Sequence, residues 1–299
     1  MQFTKLLAEH QKNSGVTNPR KIAFTGVDGF DVYNISAPFA YDQQMLIAGR
    51  VEKRDSEDST VIFFRRVDDT HYERTDYPTL HLQDPFIGRL NDQLLVGGVH
   101  TAPTSDGKLT WRTDFYLGKD LHTLKLWLSG PEHMKDIRMA QLPNGQILVL
   151  TRPQGDEGKL GKIGYLVADS LAAITAHAIA QAPLLANNFA DDNWGGPNQI
   201  ISATNEKALV LGHIARRQAD NTLQYVSLCF TVDIKNGVIK DPAIVATRQD
   251  FVPGPAKRPD LIDVIFSGGY DAENKRLYVG TSDAEAQFAN IDLEGKRRR

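Results

Sequence analysis

From about residue 20 onward the chain alternates short β-branched and aromatic runs with Gly, Asn, Asp and Pro clusters. That is the pattern of strands joined by tight turns. Five segments share one form: an apolar strand, a polar turn, then a second apolar strand ending in small and polar residues. They read VYNISAPFAYDQQMLIAGRVE (32–52), DPFIGRLNDQLLVGGVHT (84–101), IRMAQLPNGQILVLTRPQ (137–154), PNQIISATNEKALVLGHIA (197–215) and DVIFSGGYDAENKRLYVGTSD (263–283). Asn-Asp, Asn-Gly and Thr-Asn-Glu at the turns suit hairpins. With Ile47, Val96, Val149, Val210 and Tyr278 aligned, the repeats lie 49, 53, 61 and 68 residues apart. A third strand follows each hairpin: TVIFFRRV, TWRTDFYLG, KIGYLVA, LQYVSLCFTV and AQFANIDL.

Repeats of this size predict an all-β fold, a five-bladed β-propeller with a short N-terminal helix over 3–13. Residues 1–299 form one domain, with blades at roughly 28–80, 81–130, 131–185, 190–250 and 258–294. The last repeat ends after its third strand, and IAFTGV at 22–27 is expected to supply the missing edge and close the ring. An irregular β-sandwich is the alternative. DSLAAITAHAIAQA at 169–182 reads as a helix or as a strand with a helical approach. Neither βαβ alternation nor a glycine-rich phosphate loop is present, which argues against a Rossmann arrangement.

Composition narrows the partners. With 41% hydrophobic and 24% charged residues the chain is an ordinary globular sequence. A net charge of −3 gives no electrostatic reason to bind nucleic acid or an anionic membrane. The basic GKRRR at 295–299 is read as a solvated tail. The single cysteine, Cys229, cannot form an internal disulfide, fits a reducing compartment and sits in a buried-strand pattern. No run approaches the ~18 apolar residues of a membrane span. The N-terminus is too polar for a signal peptide, so a cytoplasmic location is expected. The eight histidines are dispersed, so neither metal nor cofactor is expected. DDNW at 191–194 is read as turn chemistry.

In a propeller, polar residues at strand mouths converge on one end of the central channel. The second strands of the hairpins end near Arg50, His100, Arg152, His213 and Asp283, and the first strands begin with Asn34, Asp84, Asp136, Asn198 and Asp263. Lys135 and Arg138 lie beside these. The set has several cations and few carboxylates. Arginine forks suit a phosphate, whereas a hydrolytic glycosidase needs two carboxylates flanking the bond. One plausible acid beside a basic cluster suggests phosphate as the second reactant.

With these residues in view, the sequence resembles the five-bladed propeller enzymes that phosphorolyse β-mannosides. It is most similar to the dual-activity β-1,2-mannosyltransferase/phosphorylases of mannogen-type oligomannosides. The resemblance runs through nearly all of 30–293. It is carried by YNIS and IAGRVE (Asn34, Arg50), QDPF (Asp84), MKDIR and TRP (Lys135, Asp136, Arg138, Arg152), LGHIA (His213), and DVIFSGG with YVGTSD (Asp263, Asp283). The family's Glu-Asp-Pro-Arg hallmark is Gln83-Asp84-Pro85-Phe86 here.

The resemblance implies an inverting transfer of mannose between a β-1,2-oligomannoside and phosphate, giving mannose 1-phosphate, or from GDP-mannose to an acceptor. It implies Asp84 as general acid/base, and phosphate held by Lys135, Arg138, Arg152 and His213. Asn34, Arg50, His100, Asp136, Asp263 and Asp283 would then bind the sugar. A homodimer would be unsurprising. Phe86 and Trp194 are candidates for an apolar lid or for stacking on sugar faces. Two alternatives stand beside this reading: a glycoside hydrolase on the same propeller, with Asp136 or Asp263 as second carboxylate, and a non-catalytic carbohydrate-binding propeller.

Overall fold

The computed structural model describes residues 1–104, 106–293 and 295. The basic tail at 295–299 therefore lies, apart from Gly295, outside the described residues. Strands hold 51% of the chain against 10% in helix, and they form sheets of eight, four, three and six strands.

Each sheet is built from antiparallel meanders. Asp31–Tyr33, Gln44–Glu52, Thr60–Arg66 and His71–Arg74 make the first, and Gln83–Leu90, Gln93–Pro103, Leu109–Gly118 and Lys125–Ser129 the next. Arg138–Gln141, Ile147–Thr151 and Gly164–Ala168 follow, then Trp194–Ala203, Lys207–Arg217, Leu223–Asp233 and Val238–Ala246. The last comprises Asp263–Asp271, Arg276–Thr281 and Glu285–Asn290. It joins its predecessor through two parallel pairs, Gln224↔Asp263 and Tyr225↔Val264, which makes the eight-stranded sheet.

The turns form where the sequence expects them. Asn91 and Asp92 both take left-handed backbone (φ 48° and 61°) between the paired Leu90 and Gln93, as a two-residue hairpin turn requires. Asp42 and Gln43 do the same at φ 46° and 58°.

Two expectations change. The strand paired with Glu285–Asn290 is Thr17–Lys21, not 22–27. Ala23–Thr25 instead runs parallel to His71–Arg74 in the first meander. The closing segment, Thr-Asn-Pro-Arg-Lys, is mostly exposed, so it carries no apolar alternation by which to be recognised. At 169–182 only a 3-10 turn at Leu171–Ala173 and a five-residue helix at Ala176–Ala180 form, the latter capped by Thr175. The expected N-terminal helix is Phe3–Lys12.

Apolar clusters lie between neighbouring meanders. Leu46 and Phe63 meet Leu82 and Val96; Leu90 and Phe115 meet Ile137 and Val149; Leu148 and Leu150 meet Val210 and Leu228. Leu211 and Cys229 meet Ile265 and Val279, and Tyr278 and Phe288 of the last meander meet Ile47 and Phe64 of the first. Phe3 and Leu6 anchor the N-terminal helix in one of these clusters.

Phe115 is fully buried and packs edge-on against Phe86 and Trp127. Phe115→Ala is expected to cost about 3–5 kcal/mol through the cavity it leaves. Equilibrium urea unfolding reads this out, and a loss under about 1 kcal/mol would mean that the cluster collapses around the gap.

Candidate active site

Asp84 occupies a β-bulge. Gln83 pairs with Val99 and Phe86 with Gly97, so the two intervening residues, Asp84 and Pro85, oppose the single residue Gly98 on the partner strand. Pro85 fits there because its missing N–H falls where the ladder is already broken. Asp84 takes left-handed backbone (φ 51°), as do Asn34 (45°), Asp136 (58°) and Asp283 (49°). Asn and Asp tolerate that conformation best among side-chain-bearing residues, and such backbone clusters at functional sites.

These residues form two adjoining groups. In the first, Asn34 Nδ2 donates to Asp84 Oδ1 at 2.8 Å and Arg50 Nη1 to the same oxygen at 3.2 Å. Asp283 stands beside them: burial and the Asp84 charge push its carboxyl up against the pull of Arg50, Lys257 and Lys135. Burial also works against the Arg50 charge, but Asp84, Tyr33, Glu52 and Asp283 outweigh it and hold the guanidinium firmly protonated. The last hairpin comes close here. A Cβ on Gly280 would stand 1.9 Å from Asn34 Oδ1, so only glycine fits.

In the second group, Arg152 Nη1 lies 3.4 Å from Asp136 Oδ2, and His213 Nε2 lies 4.0 Å from it. All three residues are buried. Burial alone would raise the Asp136 carboxyl, but Arg152, His213, Lys135 and Arg138 hold it below the usual carboxylate range. Burial pulls His213 down to about 4, so its ring is neutral at pH 7, with Nδ1 2.9 Å from Asn198 Oδ1. Arg138 donates Nε to the Asn198 carbonyl at 2.6 Å, and burial lowers it to about 10. Arg152 donates Nε to the Gly195 carbonyl at 3.0 Å. Among the described residues its buried Nη1 has no hydrogen-bond acceptor, and Asn198 Nδ2 has no partner.

The His213 shift gives a pH dependence of stability. The unfolded ring takes its proton near pH 6.5, the folded one only near 4. Between those values the unfolded chain binds the extra proton, so stability falls with falling pH, by about 3 kcal/mol in all. Urea midpoints at pH 7 and 4.5 test this, and His213→Gln is expected to flatten the difference.

A cavity of about 900 Å³ has Arg152 of the second group in its lining, together with Glu57, Gln83, Lys135, Trp111, Asp192, Trp194, Arg216 and Tyr225. On the other side a second cavity of about 620 Å³ is lined by Ser36, Phe86, Arg138, Asn198 and Gly268, all on first strands or just beyond them.

Not every expected residue joins. His100 is one position out of step. Its neighbours Val99 and Thr101 line the cavity, so by strand alternation His100 faces away, 4.0 Å from Asp114. Asp263 accepts from Gln224 at 2.7 Å and Gln218 at 3.2 Å and braces the outer wall. Arg138 lines the second cavity rather than the first. Phe86 is neither lid nor sugar platform: it is buried, with the Arg138 guanidinium 4.2 Å from its ring centre. Trp194 does line the cavity, with its Nε1 donating to Tyr225 Oη at 2.8 Å. The sequence reading passed over Glu52, Glu57 and Lys257. Glu52 stands two residues after Arg50, and period two alone puts them on one strand face.

Among curated proteins none matches the chain by sequence. Three solved structures give the setting. MPT-4, a mannose phosphorylase from Leishmania mexicana solved with phosphate, is 31% identical, with a TM-score of 0.89 over 98% of this chain and 93% of that one. MPT-1, a GDP-Man-dependent mannosyltransferase from the same organism, is 28% identical, with a TM-score of 0.86 over 98% and 95%. A β-1,2-mannobiose phosphorylase from Listeria innocua shares the fold at 16% identity and a TM-score of 0.64 over 95% and 96%. A family model described as protein of unknown function (DUF1861) matches residues 8–294. By that match, and by its identity with MPT-4 over nearly the whole chain, the protein belongs to the DUF1861 family and is kin to the Leishmania mannosyl-transferring enzymes.

Proposed function

We propose that the protein transfers mannose between a β-1,2-linked oligomannoside and inorganic phosphate, with inversion, and that its meanders are five blades of one propeller. The blade reading is supported by apolar clusters that pair each meander with the next and the last with the first. First-strand residues that share one cavity support it too.

The observation that carries the function is the pairing of Asp84, gripped through one oxygen, with a buried Arg152 whose Nη1 faces Asp136 at 3.4 Å without making a hydrogen bond. A phosphate oxygen is the acceptor that donor suits. Phosphate attacks the anomeric carbon from the face opposite the glycosidic oxygen. The C1–O bond breaks, and the leaving oxygen takes a proton from Asp84, directly or through a sugar hydroxyl. Arg152 and Lys135, which line the first cavity, stabilise the phosphate charge. Asn34, Arg50 and Asp283 hold the reacting mannose. The carboxylates that a hydrolase would recruit are engaged, Asp136 by Arg152 and Asp263 by Gln224.

The cavity volume and its wall of Trp194, Tyr225 and Arg216 also suit a larger donor. GDP-mannose is the second donor reading, with Asp84 then acting as base for the acceptor hydroxyl.

Incubating the protein with β-1,2-mannobiose, with and without phosphate, and with GDP-mannose plus mannose, separates the readings. Mannose 1-phosphate formed only with phosphate supports phosphorolysis. Free mannose released without it would mean a hydrolase, and binding without turnover a carbohydrate-binding module.

A further inference from the structure

Glu52 is the most heavily engaged carboxylate near the site, and it does not line the cavity. Its side chain is fully buried. Oε2 accepts from Arg50 Nε at 3.2 Å, from Arg50 Nη2 at 2.9 Å and from the Ser59 hydroxyl. Oε1 accepts from the Tyr33 hydroxyl and from Lys257 Nζ. Burial opposes its charge, yet Arg50 and the Lys257, Ser59 and Tyr33 hydrogen bonds hold it ionised.

What matters is what this leaves to Arg50. A guanidinium fork meets a carboxylate best with two parallel N–H groups, one to each oxygen. Two of the three Arg50 nitrogens are committed to Glu52, so Arg50 reaches Asp84 through Nη1 alone. It meets the same Oδ1 that Asn34 already holds. Among the described residues no hydrogen bond reaches Asp84 Oδ2.

We propose that Glu52 is a positioning residue that restrains the Arg50 fork, so that Oδ2 of Asp84 stays open to carry the transferred proton. The inference rests on the proposed mannosyl transfer for its kinetic arm only. Without the Glu52 charge, Nη1 and Nη2 swing together onto both Asp84 oxygens, and the fork then covers the atom that must exchange the proton. Beside Glu52 the neutral Ser59 hydroxyl also accepts from Arg50 Nε, at 3.0 Å, and the charged groups around Arg50 are weaker anchors. Asp283 stands across the group, Glu57 takes Nη2 at 3.1 Å from a half-exposed side chain, and the cations Lys257 and Arg138 face other acceptors.

The test is Glu52→Gln, which keeps size and hydrogen-bonding atoms but removes the charge. In phosphorolysis of β-1,2-mannobiose, kcat is expected to fall on the order of 10²-fold, with KM for mannoside and phosphate within about twofold. Glu52→Asp, which restores the charge, should recover most of the loss. A crystal structure of Glu52→Gln should show Arg50 on both Asp84 oxygens. An unchanged kcat, or a variant structure with Oδ2 still open, overturns the proposal. So does a loss of kcat matched by a rise in KM. Should the wild type not act on mannosides, the functional reading fails while the variant structure still decides this one. If Glu52→Gln does not fold, Ser59→Ala removes, at constant charge, the hydroxyl that donates to Glu52 and accepts from Arg50 Nε, loosening the same Arg50–Glu52 restraint. It should lower kcat by a smaller factor, and an unchanged kcat would overturn the proposal.

Discussion

Asp84→Asn is expected to lower phosphorolysis of β-1,2-mannobiose by about 10³-fold, within the range set by losing a positioned proton donor. At about 1.36 kcal/mol per decade this is about 4 kcal/mol of lost transition-state stabilisation. The substitution is conservative in shape. The amide oxygen can still accept from Asn34 Nδ2 and Arg50 Nη1, the two bonds that position Asp84, so thermal unfolding should be little changed. The loss should also depend on the leaving group. An aryl mannoside whose phenolate departs unaided needs no proton, and the variant should turn it over nearly as fast as the wild type. Undiminished turnover of the disaccharide would remove Asp84 from the chemistry. An equal loss on both substrates would make it a binding residue instead.

The second large effect is expected from Arg152→Met. This removes the nearest cation from a buried carboxylate, Asp136, and such a break costs about 3–5 kcal/mol. Its pH dependence separates charge from packing. In the wild type Asp136 is held below the usual range, so its contribution is complete above a pH of about 4 and disappears as pH falls through the lowered value. In the variant, burial dominates, and Asp136 protonates at a higher pH than in the wild type. The stability gap should therefore be widest at neutral pH and narrow toward a pH of about 4. A gap equal at both ends would mean that Arg152 matters through packing. Phosphate affinity should fall as well, because Nη1 is the donor without an acceptor.

Much of the fold was legible because hairpins write themselves locally. Leu90 to Gln93 shows an apolar strand, two residues tolerant of left-handed backbone and a second strand, all within reach of one window. The first group of the site was legible for a similar reason, since Asn34, Arg50 and Asp84 stand at strand mouths that recur with each repeat. Where register mattered to a single residue, the reading slipped. His100 and Val99 differ by one position, and one position is the difference between the two faces of a strand. Glu52 was invisible for another reason. A glutamate in a strand is ordinarily solvated, and its burial here depends on Lys257, which lies 205 residues away. Thr17–Lys21 gave no signal because an edge strand with a proline and no apolar alternation is fixed by its partner rather than by its own composition.

That same edge strand has a kinetic consequence. Thr17 pairs with Asn290, so the first strand of the chain waits for nearly the last before either side of that ladder forms. Contacts of such sequence separation close large loops before any pairing repays the lost entropy, and they slow folding more than they weaken the folded state. During synthesis the early meanders can condense as they emerge, while the final sheet lacks two strands, Thr17–Lys21 and Glu285–Asn290, until residues 285–290 have left the ribosome. The slow step to look for on refolding is therefore the docking of Thr17–Lys21 onto Glu285–Asn290.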